Sequence, residues 1–167
     1  MFDQEDVIGK DDISQHIIDR YTDIVKSISH TTTVREFTSA SKERDKILRD
    51  FANGDLEVLT SMKCLDEGVD VPRSEMAVFC ASTGNPRQFI QRRGRILRKH
   101  KDKRNAVIHD LIVAPMINSA SESFEMERRL LEMEMKRVRD FASLSENADN
   151  TYLTLEDITT YYNITIL

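Results

Sequence analysis

Apolar residues recur every three or four positions from Ile13 through Ile17, Tyr21, Ile24 and Ile28, with polar residues between them. This spacing predicts a helix with one core-facing stripe, headed by Asp12 as its N-cap. The stretch 31–38, TTTVREFT, is rich in β-branched residues and predicts a short strand. Helical spacing returns at Ile47, Leu48 and Phe51, with Ser39 or Ser41 as cap and Asn53-Gly54 as a left-handed stop. A strand over 56–60 follows, then the loop-like DEGVDVP of 66–72 and a buried-strand candidate over 76–81. Asn85-Pro86 offers an amide cap and a proline at the first helical position, opening a helix that ends near Leu97. AVIHDLIV, residues 106–113, is the most apolar strand candidate. Strands alternating with helices at these intervals imply right-handed crossovers: an α/β fold with a largely parallel sheet flanked by helices.

Beyond Pro115 the pattern turns wholly helical. Ser119 to Glu122 fits a capping box, and a long helix to about Leu144 carries Leu131, Met135, Val138 and Ala142 as one stripe. Leu130, Met133 and Phe141 flank it, as on a helix packed against its own or a neighbouring domain. Residues 145–150 read as a polar linker, and 152–167 fit either a short helix or a strand. The expected division is therefore an α/β domain over 1–115 and a helical extension over 116–167.

Charge alters this picture at one place. The net charge is −5, yet residues 85–104 hold nine Lys or Arg and a single acid, Asp102, a local +8 that leaves −13 for the remainder. Charge so segregated builds a local positive field that the net value conceals. Composition is otherwise that of a soluble domain, 40% hydrophobic and 32% charged. No apolar run reaches the roughly 20 residues of a membrane span. The acidic N-terminus lacks a signal-peptide segment, so the expected compartment is cytoplasmic. Two cysteines, Cys64 and Cys80, cannot form a tetrahedral zinc site by themselves, and no metal site is expected.

The basic segment contains QRRGRILR, residues 91–98. On a continuous helix Gln91, Arg95 and Arg98 share a face, and Gly94 permits a close approach. Two planar guanidiniums and an amide suit a polyanion with several oxygens, a triphosphate or a nucleic-acid backbone alike.

These residues resemble motif VI of superfamily 2 helicases, of pattern Q-x-x-G-R-x-x-R. Asp66 to Pro72, behind a strand ending in VLTS, resembles motif V, and the order and separation of the two also match. The resemblance covers roughly residues 12–115 and implies the C-terminal RecA-like domain of such an enzyme. It implies that Arg98 is the arginine finger, that Arg95 contacts the γ-phosphate and that Gln91 orders the attacking water. Gly68 and Asp70 would approach the nucleotide, Asp70 at the ribose. Thr60 and Ser61, at their strand's carboxyl end, would meet the nucleic-acid backbone, with Arg92 and Lys99 nearby. Gln91 stands where RNA-acting DEAD-box members carry histidine, which points to DNA. ATP with Mg2+ is the implied ligand.

Two departures accompany the resemblance. The chain contains neither G-x-x-x-x-G-K-[ST] nor an acidic D-E-x-[HD] box, so the magnesium ligands and phosphate loop are expected on an N-terminal RecA-like partner domain. Where the family has an apolar first strand, residues 3–10 supply only Val7 and Ile8, as if that strand were cut or degenerate. His109 reads as a packed strand residue and Asp110 as a structural pairing group. Two other readings follow from the same residues: a nucleic-acid-binding module without ATP chemistry, and an interaction domain presenting the helix of 122–144.

Overall fold

The computed structural model describes residues 4–62, 71–80, 86–118 and 122–165, with side chains from Gln15 in the first helix and from Ile90 in the third. In chain order the elements are α1 (Gln4–Ile28), β1 (Val34–Phe37), α2 (Arg44–Asn53), β2 (Val58–Ser61), β3 (Met76–Phe79), α3 (Pro86–Ile96), β4 (Val107–Asp110), α4 (Phe124–Ala142) and α5 (Ala148–Tyr161). Contacts divide the chain into two compact units, Met1–Ala77 with Arg87–His109, and Val78–Pro86 with Asp110–Leu167.

β1 and β2 are parallel, in register from Val34↔Val58 to Phe37↔Ser61. β3 pairs with β4. Val107 N–H donates to the Glu75 carbonyl at 2.8 Å and Leu111 N–H to that of Phe79 at 3.0 Å. Both bonds span the same interval (107 − 75 = 111 − 79), so this ladder is parallel too. Helices alternating with parallel strands, followed by a helical C-terminal segment, make the α/β architecture that the sequence predicts.

In the first unit the core is Ile18, Phe37, Ile47, Leu56, Val71 and Ile96. Phe37 is fully buried under the Arg44 guanidinium, 4.4 Å from the ring centroid, and Arg44 Nη1 donates to the Thr38 carbonyl at 2.8 Å. α1 corrects the expected stripe. Ile17, Tyr21, Ile24 and Ile28 are 40–80% exposed, and the buried positions are Ile18 and Thr22, one residue on. A shift of one residue rotates the inward face by 100°, and a two-stranded ladder covers only a narrow part of a helix. Helix also extends back to Gln4, where the resemblance implies a strand.

The caps differ from the expected ones as well. α2 starts after Glu43, held at φ 57° with no side-chain cap, because the Ser41 hydroxyl instead accepts the Thr38 N–H at 2.8 Å. Its other end is as expected: Gly54 adopts φ 88°, donating to the carbonyls of Asp50 and Phe51. β3 is not buried on both faces. Met76 and Val78 are exposed, and so are Val107 and His109 along β4 and Leu111 just after it, so His109 is not the packed residue expected. Among the described residues, the alternate side chains on one face of this two-stranded ladder are exposed.

In the second unit Leu131, Met135, Val138 and Ala142 of α4 are all buried, as predicted. Tyr162 is fully buried beside them, with Ile112, Phe124, Tyr152, Leu155, Ile158, Tyr161 and Ile164 packed around. Phe124 stacks on Tyr162 at 5.2 Å and Tyr161 meets it edge-on at 4.8 Å. α5 settles the form of the C-terminal segment as helix and shortens the expected linker. The expected capping box at 119–122 lies largely outside the described residues; the α4 N-cap position is Ser123, whose side chain does not cap the helix. Among the described residues no helix is long and apolar enough to cross a membrane.

Candidate functional site

α3 begins at Pro86, whose fixed φ suits the first helical position; Asn85 lies outside the described residues. The helix is anchored near its end by Ile96, which is buried. Along it Gln91 is exposed while Arg92, Arg93 and Arg95 are half-buried. Gln91 and Arg95 are four residues apart and share a face. At Gly94 a Cβ would meet no atom within 4 Å, so this position faces open space.

Arg98 does not continue that helical face. α3 stops at Ile96, and Arg98 follows in a turn held by its own N–H to the Arg95 carbonyl at 3.4 Å. The Ile96 carbonyl, which a longer helix would bond to residue 100, accepts instead from Lys103 Nζ at 2.5 Å. The same ammonium donates to the carbonyls of Ser74 at 2.9 Å and Pro72 at 3.2 Å. Burial draws the Lys103 pKa down from its ordinary value, with the Glu75 carboxylate opposing. Sequence reasoning counted Lys103 only among the charges of the basic segment. Nothing local marks it, since two of its acceptors lie 29 and 31 positions away.

Around the turn, Arg98, Lys99, Lys101 and Arg104 are exposed. At the carboxyl end of β2 the Thr60 hydroxyl shares a 2.7 Å hydrogen bond with that of Thr22 on α1. One O–H of the pair remains available as a donor. Ser61 Oγ is buried with no hydrogen-bond partner among the described residues. Gly68 and Asp70 lie outside the described residues, as does Cys64; Cys80 is a half-buried free thiol. Among the described residues no group of three or more His, Cys, Asp or Glu is arranged to hold a metal ion. The structure thus places Gln91 and Arg95 on one face of α3 and Arg98 just past its end, beside a cluster of solvated cations. Such a place can bind phosphate oxygens by bidentate donors and by field.

Residues 13–100 match the model of the helicase conserved C-terminal domain. The chain is 34% identical over 115 residues to the DNA 3'-5' translocase XPB2 of Sulfurisphaera tokodaii, covering 68% of this chain and 25% of that protein. It is 37% identical over 79 residues to the putative ATP-dependent helicase IRC3 of Saccharomyces cerevisiae, covering 47% of this chain and 12% of that one. It therefore spans a quarter or less of the length of these relatives. Among solved structures, the yeast DEAD-box splicing factor Prp28 is similar in fold, with TM-score 0.51, 17% identity, and coverage of 87% of this chain and 29% of that chain.

Proposed function

The chain belongs to the helicase conserved C-terminal domain family, and from that premise we propose that it is the second motor domain of an ATP-dependent superfamily 2 DNA helicase or translocase. It supplies the arginine finger and part of the nucleic-acid track. The observation that carries this reading is α3 and its exit, where Gln91 and Arg95 share a helix face and Arg98 follows in an exposed turn, all within the basic segment.

In this reading the exposed Arg98 reaches across to the γ-phosphoryl group held by an N-terminal motor domain, and its guanidinium meets the charge that develops on the equatorial oxygens. A finger of this kind is worth about 10³ to 10⁵ in rate. Arg95, four residues from Gln91, binds the γ-phosphate and links its presence to domain closure, while Gln91 orients the attacking water. Gly68 and Asp70 serve the nucleotide from the preceding loop. The residues present suit phosphate oxygens rather than Mg2+, whose ligands fall to the partner domain; the ion there would neutralise charge on the phosphates. Arg92, Lys99, Ser61 and the spare donor of the Thr60–Thr22 pair offer contacts to a phosphate backbone. DNA is favoured over RNA by Gln91 at the head of its motif and by the DNA-translocase relative.

The test is DNA-stimulated ATP hydrolysis by this chain joined to its N-terminal motor domain, comparing wild type with Arg98→Ala. Hydrolysis should fall by about 10³-fold or more while nucleotide binding persists. The 167-residue chain alone should hydrolyse ATP at background. Unchanged hydrolysis in Arg98→Ala would remove the finger. The exposed cations Lys99, Lys101 and Arg104 would then favour the second reading, a phosphate-binding surface with steep salt dependence and no response to nucleotide.

A further inference from the structure

Lys103 is built unlike its neighbours. Lys99, Lys101 and Arg104 point to solvent, whereas Lys103 is partly buried and its ammonium is spent on three backbone carbonyls: Pro72 at 3.2 Å, Ser74 at 2.9 Å and Ile96 at 2.5 Å. An ammonium has three donors, and here each has an acceptor. A charge of the solvated face would keep them for water.

The three acceptors belong to two segments of the candidate site. Ile96 carries one of the last carbonyls of α3, where intrahelical partners run out and the helix dipole is negative, so a cation is favoured there. Arg98 follows two residues later. Pro72 and Ser74 bracket the turn into β3, and Pro72 closes the 66–72 segment two residues after Asp70. One side chain thus ties the exit of the arginine helix to the 72–74 turn, which follows in sequence the residues assigned to the nucleotide.

We propose that Lys103 is a positioning residue of the ATP site, holding the α3 exit, and with it Arg98, in fixed register with the 72–74 turn. The proposal rests on the functional reading above. The ammonium also satisfies a carbonyl that the end of the helix leaves without an intrahelical donor. Arginine is a poor substitute, because its planar fork cannot aim donors at three carbonyls converging on one point.

Two measurements test it. In the 167-residue chain, amide hydrogen exchange needs no nucleotide. Lys103→Met should speed exchange together in peptides spanning 71–76 and 94–99, by about tenfold or more, and leave the β1–β2 ladder unchanged. In ATP hydrolysis with the N-terminal motor domain present, Lys103→Met should lower kcat by about tenfold or more with KM for ATP little altered. Lys103→Arg should not restore it, and in an Arg98→Ala background Lys103→Met should add no further loss, because it acts through Arg98. If Lys103→Met does not fold, Lys103→Gln, which keeps an amide donor, carries the same comparisons. Exchange that rises in only one segment or in neither, full activity of Lys103→Arg, or independent losses in the double variant would each overturn the proposal. Arg98→Ala with unchanged hydrolysis would overturn the functional reading alone, and the exchange experiment would still decide the clamp.

Discussion

Arg137 on α4 stands between two carboxylates, and removing it should cost far more than removing either acid. Its Nε lies 3.3 Å from Asp110 Oδ2 and its Nη2 2.5 Å from Glu134 Oε2, the three side chains being 12%, 12% and 22% exposed. Arg137→Met keeps the apolar stem and leaves two largely buried carboxylates without their cation. Breaking a buried pair from one side costs about 3–5 kcal/mol, and the residual exposure here places the expected loss at about 3 kcal/mol. Asp110→Asn is different in kind. Burial of Asp110 raises its pKa above 3.8, the Glu134 charge adds to this, and Arg137 only partly opposes it. A raised folded-state pKa means that the folded chain holds the proton more tightly than the unfolded chain. The group's contribution to stability is then full below the unfolded value and is lost as pH rises through the folded value. At neutral pH the Asp110 charge therefore works against folding, and Arg137 keeps Glu134 when Asp110 becomes neutral.

We expect Asp110→Asn to lie within about 1 kcal/mol of wild type at neutral pH. The deficit of Arg137→Met should shrink as pH falls and Asp110, whose pKa burial already raises, takes up a proton. Urea unfolding followed by tyrosine emission suits the measurement. The chain has no tryptophan, and Tyr152, Tyr161 and Tyr162, three of its four tyrosines, belong to the same unit as the ion cluster. Equal costs for the two substitutions, or an Arg137→Met deficit constant across pH, would refute the reasoning.

Other outcomes follow from single sites. Gly54→Ala should destabilise by about 1–2 kcal/mol in denaturant unfolding: φ is +88°, and the new Cβ would fall 2.5 Å from Arg73 Nη1, displacing the guanidinium from the Ala52 carbonyl it now meets at 3.1 Å. In an ultraviolet titration one tyrosine should ionise last, at about 12, and Tyr162→Phe should abolish that step; burial is the main cause and the 2.9 Å bond to Glu127 adds to it. Stability from this phenol should hold below pH 10.0 and be lost as pH rises towards 12. If Lys99 meets a DNA phosphate, Lys99→Ala should reduce the slope of log K against log salt by about 1, uniformly across sequences.

Legibility in the sequence follows how far each signal had to travel. α4 was readable because its stripe, Leu131, Met135, Val138 and Ala142, buries against elements close by in the chain, α5 and the segment around Ile112. α1 shows the same periodicity and misled, because which side of a helix is covered depends on distant strands: Thr22, not Tyr21, turns inward to meet Thr60, 38 positions on. Gly54 was readable because a left-handed stop is a local backbone demand. The apolar runs of β3 and β4 promised burial on both faces, but the pairing of two strands alone cannot supply it. The shared face of Gln91 and Arg95 is legible, since it needs only 3.6-residue geometry; the departure of Arg98 from it is not, since the helix gives way to a turn at Arg98 and its Ile96 carbonyl finds a donor only at Lys103.

That helix end bears on how the proposed finger would work. Were α3 one turn longer, Arg98 would be held by its backbone in the same rigid frame as Arg95, and both guanidiniums would answer to one helix. Stopping at Ile96 moves Arg98 into an exposed turn, with its backbone bonded to Arg95 at 3.4 Å and the preceding Ile96 carbonyl held by Lys103. In water a guanidinium at 4 Å from a charge gains about 1 kcal/mol, and several times that once the site closes and the effective dielectric falls. An exposed finger is therefore weak until a partner domain covers it and strong afterwards, which ties the rate of phosphoryl transfer to closure rather than to nucleotide binding. Burying Arg98 within this chain would forfeit that difference. In the proposed motor, an exposed Arg98 and an α3 exit held by Lys103 together would couple hydrolysis to movement.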